Sequence, residues 1–165
     1  MATRSAGILM FRRTGSAIAF LLVHPGGPYW ANKDDAAWSI PKGICAEGED
    51  ELAAAKREFH EETGSLVEGE FVKLGEFKQR GGKMIIAWAV EGTFDSAGLE
   101  SNSFAMEWPP GSGRKQEFVE VDRAGWFEAA DARRKITKGQ RAILDEFLAR
   151  WSTEKTPEPR VRPPE

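Results

Sequence analysis

Residues 43–64 read GICAEGEDELAAAKREFHEETG, and the spacing of acids, alanines and glycines in this stretch predicts a helix with two different faces. Asp50 can cap the first turn, Glu51 complements the helix dipole, and Gly64 supplies a left-handed stop. A helix of about three turns follows between them. Leu52, Ala55 and Phe59 fall at i, i+3 and i+7, which gives a narrow apolar stripe suited to lying on a sheet. Glu58, Glu61 and Glu62 fall at i, i+3 and i+4 and share an arc of about 100°, so their carboxylates project from one surface. Like charges at this spacing destabilise an isolated helix by about a few tenths of a kcal/mol per pair, so helix formation alone gives no reason to select them. A bound cation does. Magnesium favours hard oxygen ligands and shares its remaining positions with water and phosphate, which an open row of carboxylates permits. An EF-hand is excluded, because acids at alternate positions of a loop are absent.

Upstream, the apolar runs GILMF and AIAFLLV are separated by residues 12–16 and suit two core strands around a Thr14-Gly15 turn. Residues 24–38, HPGGPYWANKDDAAW, read as a loop of a length that is usually functional. Downstream, residues 71–77, 84–90 and 117–121 are strand candidates, and together with the first pair they suggest a mixed sheet. Residues 94–114 contain SNSFAMEWPPGSG, too broken by Gly and Pro for a regular element, and are expected to lie against the sheet. Ile143, Leu144, Phe147, Leu148 and Trp151 recur at helical spacing after Gly139, which predicts a closing helix packed on the core. The domain is expected over residues 1–151. Residues 152–165, STEKTPEPRVRPPE, are rich in proline and charge and are expected to form a flexible tail.

A chain of 165 residues with 41% hydrophobic and 30% charged side chains is in the ordinary globular range and long enough for one core. No apolar run approaches the roughly 20 residues of a membrane span, and the short run at residues 8–11 is followed at once by Arg12 and Arg13. A soluble, cytoplasmic protein with no membrane partner is expected. Cys45 is the only cysteine, which excludes an intramolecular disulfide, and it has no basic neighbour in sequence to make it a nucleophile. A net charge of −3 argues against a stable nucleic-acid complex. A small anionic ligand remains compatible, since a bound cation reverses the local sign of an acidic site.

The stretch quoted above also resembles the Nudix box, a Gly, five residues, Glu, seven residues, then Arg-Glu-apolar-x-Glu-Glu-x-Gly-apolar. Gly43, Glu49, Arg57, Glu58, Phe59, Glu61, Glu62 and Gly64 occupy its positions, and only the last apolar position departs, being Ser65. Fixed identities at that spacing would arise by chance with a probability of roughly one in a million or less. The resemblance implies an α/β/α sandwich with a mixed central sheet, extending over residues 5–150. It implies hydrolysis of a pyrophosphate bond, in substrates that are usually a nucleoside diphosphate linked to another group. By the same resemblance Glu58, Glu61, Glu62 and the carbonyl region of Lys42 and Gly43 would hold Mg²⁺, with Mn²⁺ as a substitute. Arg57 and Glu49 would be a pair orienting the box. The general base would be Glu58 or Glu120, with Glu117 as the backup.

The lead-in WSIPKG resembles that of the family's diadenosine tetraphosphate and related nucleotide hydrolases, and Lys42 could touch a phosphate as a point charge. Tyr29, Trp30 and Trp108 lie in irregular segments where a base could stack. His24 is a weak candidate for a phosphate or base contact, and His60 occupies the box's free position and is expected to be exposed. Two rivals remain. A sensor that binds a nucleotide or RNA without turnover is disfavoured by intact acids at every metal position. A diphosphoinositol polyphosphate or sugar-nucleotide hydrolase would want more cations than Lys33, Lys78, Arg80, Lys83, Arg114 and Lys115 offer. The sequence gives no reading of oligomeric state.

Overall fold

The computed structural model describes residues 3–155. The two N-terminal apolar runs form long strands, β1 (Arg4–Thr14) and β2 (Ala17–Pro25), joined through Gly15 at φ 63° and paired antiparallel with Phe11 opposite Phe20. The expected hairpin is therefore present. Three further strands extend this pair: β4 (Val72–Lys78), β5 (Met84–Glu91) and β8 (Val121–Glu128), in the order β4-β5-β1-β2-β8. The short β3 (Lys42–Ile44) pairs antiparallel with the start of β1. β1 and β5 run parallel, while the other pairs are antiparallel, so the sheet is mixed.

The alternation of side chains along β1 explains its unbroken apolar run. Ala6, Ile8 and Met10 pack on one face with Ala54, Ala55 and Phe59 of α1 (Glu51–Thr63), whereas Leu9 and Phe11 pack on the other. That second face is covered by α2 (Ala129–Lys135) and α3 (Arg141–Lys155), the latter through Ile143, Leu144, Phe147 and Trp151. A strand buried on both sides has no polar face to show, and both apolar layers are removed from water at about 25 cal/mol per Å². The architecture is the expected α/β/α sandwich.

Four features differ from the sequence reading. Within residues 94–114, β6 (Ser103–Glu107) forms, pairing with β7 (Lys115–Val119) in a separate two-stranded sheet; Phe104 and Met106 alternate with exposed neighbours, a period-2 signal hidden by the flanking Gly and Pro. Residues 117–121 are not one strand: the chain breaks at Glu120 between β7 and β8. The buried stripe of α1 is Ala54, Ala55, Phe59 and Thr63, while Leu52 is only half-buried at its edge. α3 runs on to Lys155, past the expected start of the tail, and residues 156–165 lie outside the described residues. Among the described residues no helix is long and apolar enough to cross a membrane.

Candidate active site

α1 begins as its sequence dictates: Asp50 Oδ2 accepts from the Ala53 N–H at 3.0 Å, and Gly64 at φ 82° donates its N–H to the His60 carbonyl. His60 is exposed. Thr63 ends the buried stripe with Oγ1 donating to the Phe59 carbonyl at 2.7 Å. Ser65 does not enter the core and Leu66 is 80% exposed; Val67, 4% exposed, takes the place expected of the residue after Gly64.

The loop before α1 is folded back onto it by Arg57. Its Nε and Nη2 donate to both oxygens of Glu49 at 2.9 and 3.0 Å, Nη2 also donates to the Ile44 carbonyl at 3.1 Å, and Nη1 donates to Glu58 at 2.8 Å and Glu61 at 3.0 Å. Such a fork matches a carboxylate in a way that a lysine cannot. Glu49 also accepts from the Ala46 N–H, and Arg57 followed by that bond holds its carboxyl down to about 2.

The other acids meet a different environment. Burial first, then the charges of Glu58 and Glu120, push Glu62 up to about 7, against the opposing pull of Lys42 and its N–H. That N–H donates to Glu62 Oε1 at 3.3 Å. Burial also raises Glu58, with Glu61 adding to the rise and Arg57 opposing it. Glu120 is raised by burial and then by Glu58 and Glu61. Its backbone is pinned on both sides, with the Gly26 N–H donating to its carbonyl and its own N–H donating to the Asn102 carbonyl, each at 2.8 Å. A Cβ on Gly26 would meet the Val119 carbonyl oxygen at 2.0 Å, so this approach requires glycine. Glu120, in the break before β8, is thus within reach of the charges of Glu58 and Glu61. Glu117, the backup candidate, is exposed on β7 opposite Ala105.

Gly43 lies on β3 beneath Glu58, and a Cβ there would come within 1.9 Å of the Glu58 carboxyl carbon. The motif's first glycine is therefore the floor against which the acid closes. Among the described residues the positive charges acting on Glu58, Glu62 and Glu120 are Lys42 and, at Glu58, Arg57, which is also engaged by Glu49. This surplus of hard oxygen donors fits a divalent cation. Among the described residues no three acidic, histidine or cysteine side chains are grouped so as to hold a metal ion; Glu58 and Glu61 each accept from Arg57, and such a donor set fits an ion that completes its shell with water and phosphate oxygens.

Beside the box runs a cleft of about 910 Å³, within the size range of small-molecule sites. Lys42, Gly43 and Trp30 line it, together with Arg80, Lys83 and Lys138. Of the aromatic candidates only Trp30 is in its wall; Tyr29 and Trp108 pack against each other edge to face at 5.2 Å, outside the lining. Lys33 is placed over the Trp30 ring at 5.5 Å. His24 is not a ligand contact. It is fully buried, with Nδ1 2.8 Å from Asp122 and Nε2 2.6 Å from the Lys33 carbonyl, and so fastens the base of the loop. The Cys45 thiol is pushed up by burial and then by Glu51 and Glu49, an unfavourable setting for a nucleophile. Sequence reading missed Gln140, which is buried and holds the lead-in by accepting from the Ile40 N–H and donating to Ser39 Oγ, both at 3.0 Å. It also missed Lys138. Neither residue carries a local signal, since each meets its partners only through the fold.

Comparison with known proteins agrees with this geometry. Residues 1–147 match the NUDIX domain. The chain is 33% identical over 103 residues to the mouse asymmetrical bis(5'-nucleosyl)-tetraphosphatase, a match covering 55% of this chain and 66% of that relative, slightly under two thirds of its length. Its fold resembles an Ap4A hydrolase of C. elegans in a binary complex, with a TM-score of 0.62 and 23% identity over 92% of this chain and 99% of the other. It also resembles the NUDIX domain of Shewanella oneidensis NrtR complexed with ADP-ribose, with a TM-score of 0.62 and 14% identity over 92% and 89% of the two chains. At these identities the two structures speak for the fold alone. The span of the domain match, over most of the chain, is what decides the family: this protein belongs to the NUDIX domain family.

Proposed function

We propose that the protein is a magnesium-dependent pyrophosphohydrolase acting on nucleoside-diphosphate-linked substrates, with nucleoside triphosphates and dinucleoside polyphosphates favoured. The observation that carries this reading is the convergence of Glu58, Glu61, Glu62 and Glu120 near Gly43 and Lys42, where burial and then neighbouring carboxylates raise Glu58, Glu62 and Glu120. The similarity to the mouse tetraphosphatase supports the dinucleoside class.

Glu58, Glu61 and Glu62, with the Gly43 carbonyl, would hold Mg²⁺, and Mn²⁺ would substitute. When bound, the ion supplies charge neutralisation for the phosphoanhydride. Lys42 adds a point charge against a phosphate oxygen, and Trp30 offers a face to a base. Arg57 fixes the rotamers of Glu58 and Glu61 and thereby the spacing of the donors. Glu120 takes the proton from the attacking water; burial, then the charges of Glu58 and Glu61, raise its affinity for a proton, which suits a base. Water adds to one phosphorus, the bridging P–O bond breaks, and two phosphate-bearing products leave. Every expected metal-ligand position keeps its acid, which favours turnover over a sensing role.

The test is release of nucleotide and pyrophosphate products, separated by chromatography, over a panel of nucleotides with Mg²⁺, comparing the parent with Glu62→Gln. Loss of a donor worth several kcal/mol in the transition state corresponds to a fall of about 100-fold or more. Equal release from both proteins would refute the assignment.

A further inference from the structure

A buried imidazole and two irregular stretches of backbone converge on the loop that carries Trp30. His24 is fully buried on β2, edge to face against Trp38 at 5.2 Å. Packing alone gives no reason to choose it there, since an apolar side chain fills such a place without the cost of burying two ring nitrogens. Both nitrogens are instead engaged, Nδ1 2.8 Å from Asp122 Oδ1 and Nε2 2.6 Å from the Lys33 carbonyl. A carbonyl only accepts, so Nε2 carries a hydrogen and donates it to Lys33. The pairing of β2 with β8 slips by one residue at this point, from His24 opposite Arg123 to Pro25 opposite Val121. Asp122 is the extra residue, and the bulge aims its side chain at His24.

The loop is tied down at both ends. At its start the Gly26 N–H donates to the Glu120 carbonyl at 2.8 Å. At its end the N–H groups of Ala36, Ala37 and Trp38 donate to the carbonyls of Arg134 and Lys135, in the last turn of α2, at 3.0, 3.0 and 2.9 Å. Ala36 holds φ of 59° in doing so, a strained setting for a residue with a Cβ. Trp30 stands between these ends and is 40% exposed, so packing alone does not fix it. Lys33 steadies it: the Lys33 N–H donates to the Trp30 carbonyl at 3.0 Å, the ammonium lies over the Trp30 ring at 5.5 Å, and the carbonyl is the one that His24 grips. We propose that His24 is a positioning residue for the nucleotide base, acting through Lys33 to keep the Trp30 ring on the wall of the cleft. Asp122 orients the imidazole from the bulge, two residues after Glu120, and so joins the Trp30 loop to the strand that follows the proposed general base. This rests on the reading of Trp30 as the face for a base and does not depend on turnover.

The test is calorimetric binding to the full chain, with Mg²⁺, of α,β-methylene-ATP, which has a base, and of inorganic tripolyphosphate, which has none. The parent is expected to bind the nucleotide analogue about tenfold more tightly than tripolyphosphate. A glutamine amide nitrogen reaches the place of Nε2, whereas that of asparagine reaches only the place of Nδ1, so His24→Gln keeps a donor for Lys33 and His24→Asn loses it. His24→Asn is expected to weaken the analogue about tenfold and tripolyphosphate by less than about twofold, while His24→Gln binds the analogue within about twofold of the parent. On a Trp30→Ala chain, His24→Asn is expected to change neither ligand by more than about twofold, because its effect passes through that ring. Equal weakening of both ligands, glutamine as impaired as asparagine, a full further loss on the Trp30→Ala chain, or a parent without preference for the analogue overturns the proposal. A protein that shows the expected pattern yet cleaves no nucleotide sinks the hydrolase reading and leaves the role of His24 standing.

Discussion

At one end of the box Glu49 sits in the fork of Arg57 and its carboxyl is held down to about 2; at the other Glu62 lies buried beneath Lys42, near Glu58 and Glu120, and is pushed up to about 7. The same side chain on the same motif is stabilised as an anion in one place and strained as an anion in the other. Glu49 has its counter-charge built in, and its contacts also reach the Ala46 N–H. Glu62 has one weak backbone donor and a surplus of acidic neighbours. A fold that completes one pair and leaves the other short of positive charge separates the two ends of a single motif: Arg57 and Glu49 shape the loop, and the proposed function gives Glu62 a cation as its missing counter-charge.

The sharpest way to break this comparison is to neutralise each acid in turn. Glu62→Gln is expected to lower Mg²⁺-dependent nucleotide hydrolysis by about 100-fold to 1000-fold while leaving the thermal midpoint of the metal-free protein at pH 8 unchanged or higher. Glu49→Gln is expected to do the reverse, lowering the midpoint with a smaller kinetic effect. The same loss of stability from both would erase the distinction.

A pH series sharpens it next. Glu62 binds its proton more tightly in the folded chain than in the unfolded one, so its contribution to stability is full below about 4.5 and is lost as pH rises to about 7, by on the order of 3 kcal/mol. Glu49 binds its proton less tightly when folded, so its contribution is present above about 4.5 and is lost as pH falls toward 2. Chemical denaturation of metal-free protein between pH 5 and 8 is expected to show falling stability, and saturating Mg²⁺ is expected to flatten that slope. A slope of the same sign and size in Glu62→Gln would place its origin elsewhere.

Arg57→Lys keeps the charge but loses the fork, and is expected to lower kcat/KM by about 10-fold to 100-fold through misplacement of Glu58 and Glu61. An unchanged rate would mean that the acids hold their positions without it. The smallest effect concerns the aromatic residues. Trp30→Ala is expected to raise KM for a nucleotide by about tenfold, whereas Trp108→Ala, outside the cleft, changes it by less than about twofold. A larger effect from Trp108 would move the base site to the β6–β7 hairpin.

The box, its helix, β1 and β2 were readable in the chain because two-sided burial and capping leave strong local patterns. Glu120 was named as a candidate although its setting was not foreseen: β7 and β8 are largely exposed, and the Gly26 bond that pins it comes from a distant segment. β3 is too short for periodicity, and β6 is masked by its Gly and Pro neighbours. Loop cations such as Arg80 and Lys83 were visible but counted only as too few for a diphosphoinositol polyphosphate. Only the Gln79 to Gly139 contact, across 60 residues of sequence, gathers them beside Lys138.

Crystals soaked in Mn²⁺ and measured for anomalous scattering test the central claim most directly. The expected result is a peak between the Glu58, Glu61 and Glu62 carboxylates and the Gly43 carbonyl, lost in Glu62→Gln. A parent crystal with no peak there, or with manganese bound only at other acids, would contradict the assignment of the box carboxylates as the metal site.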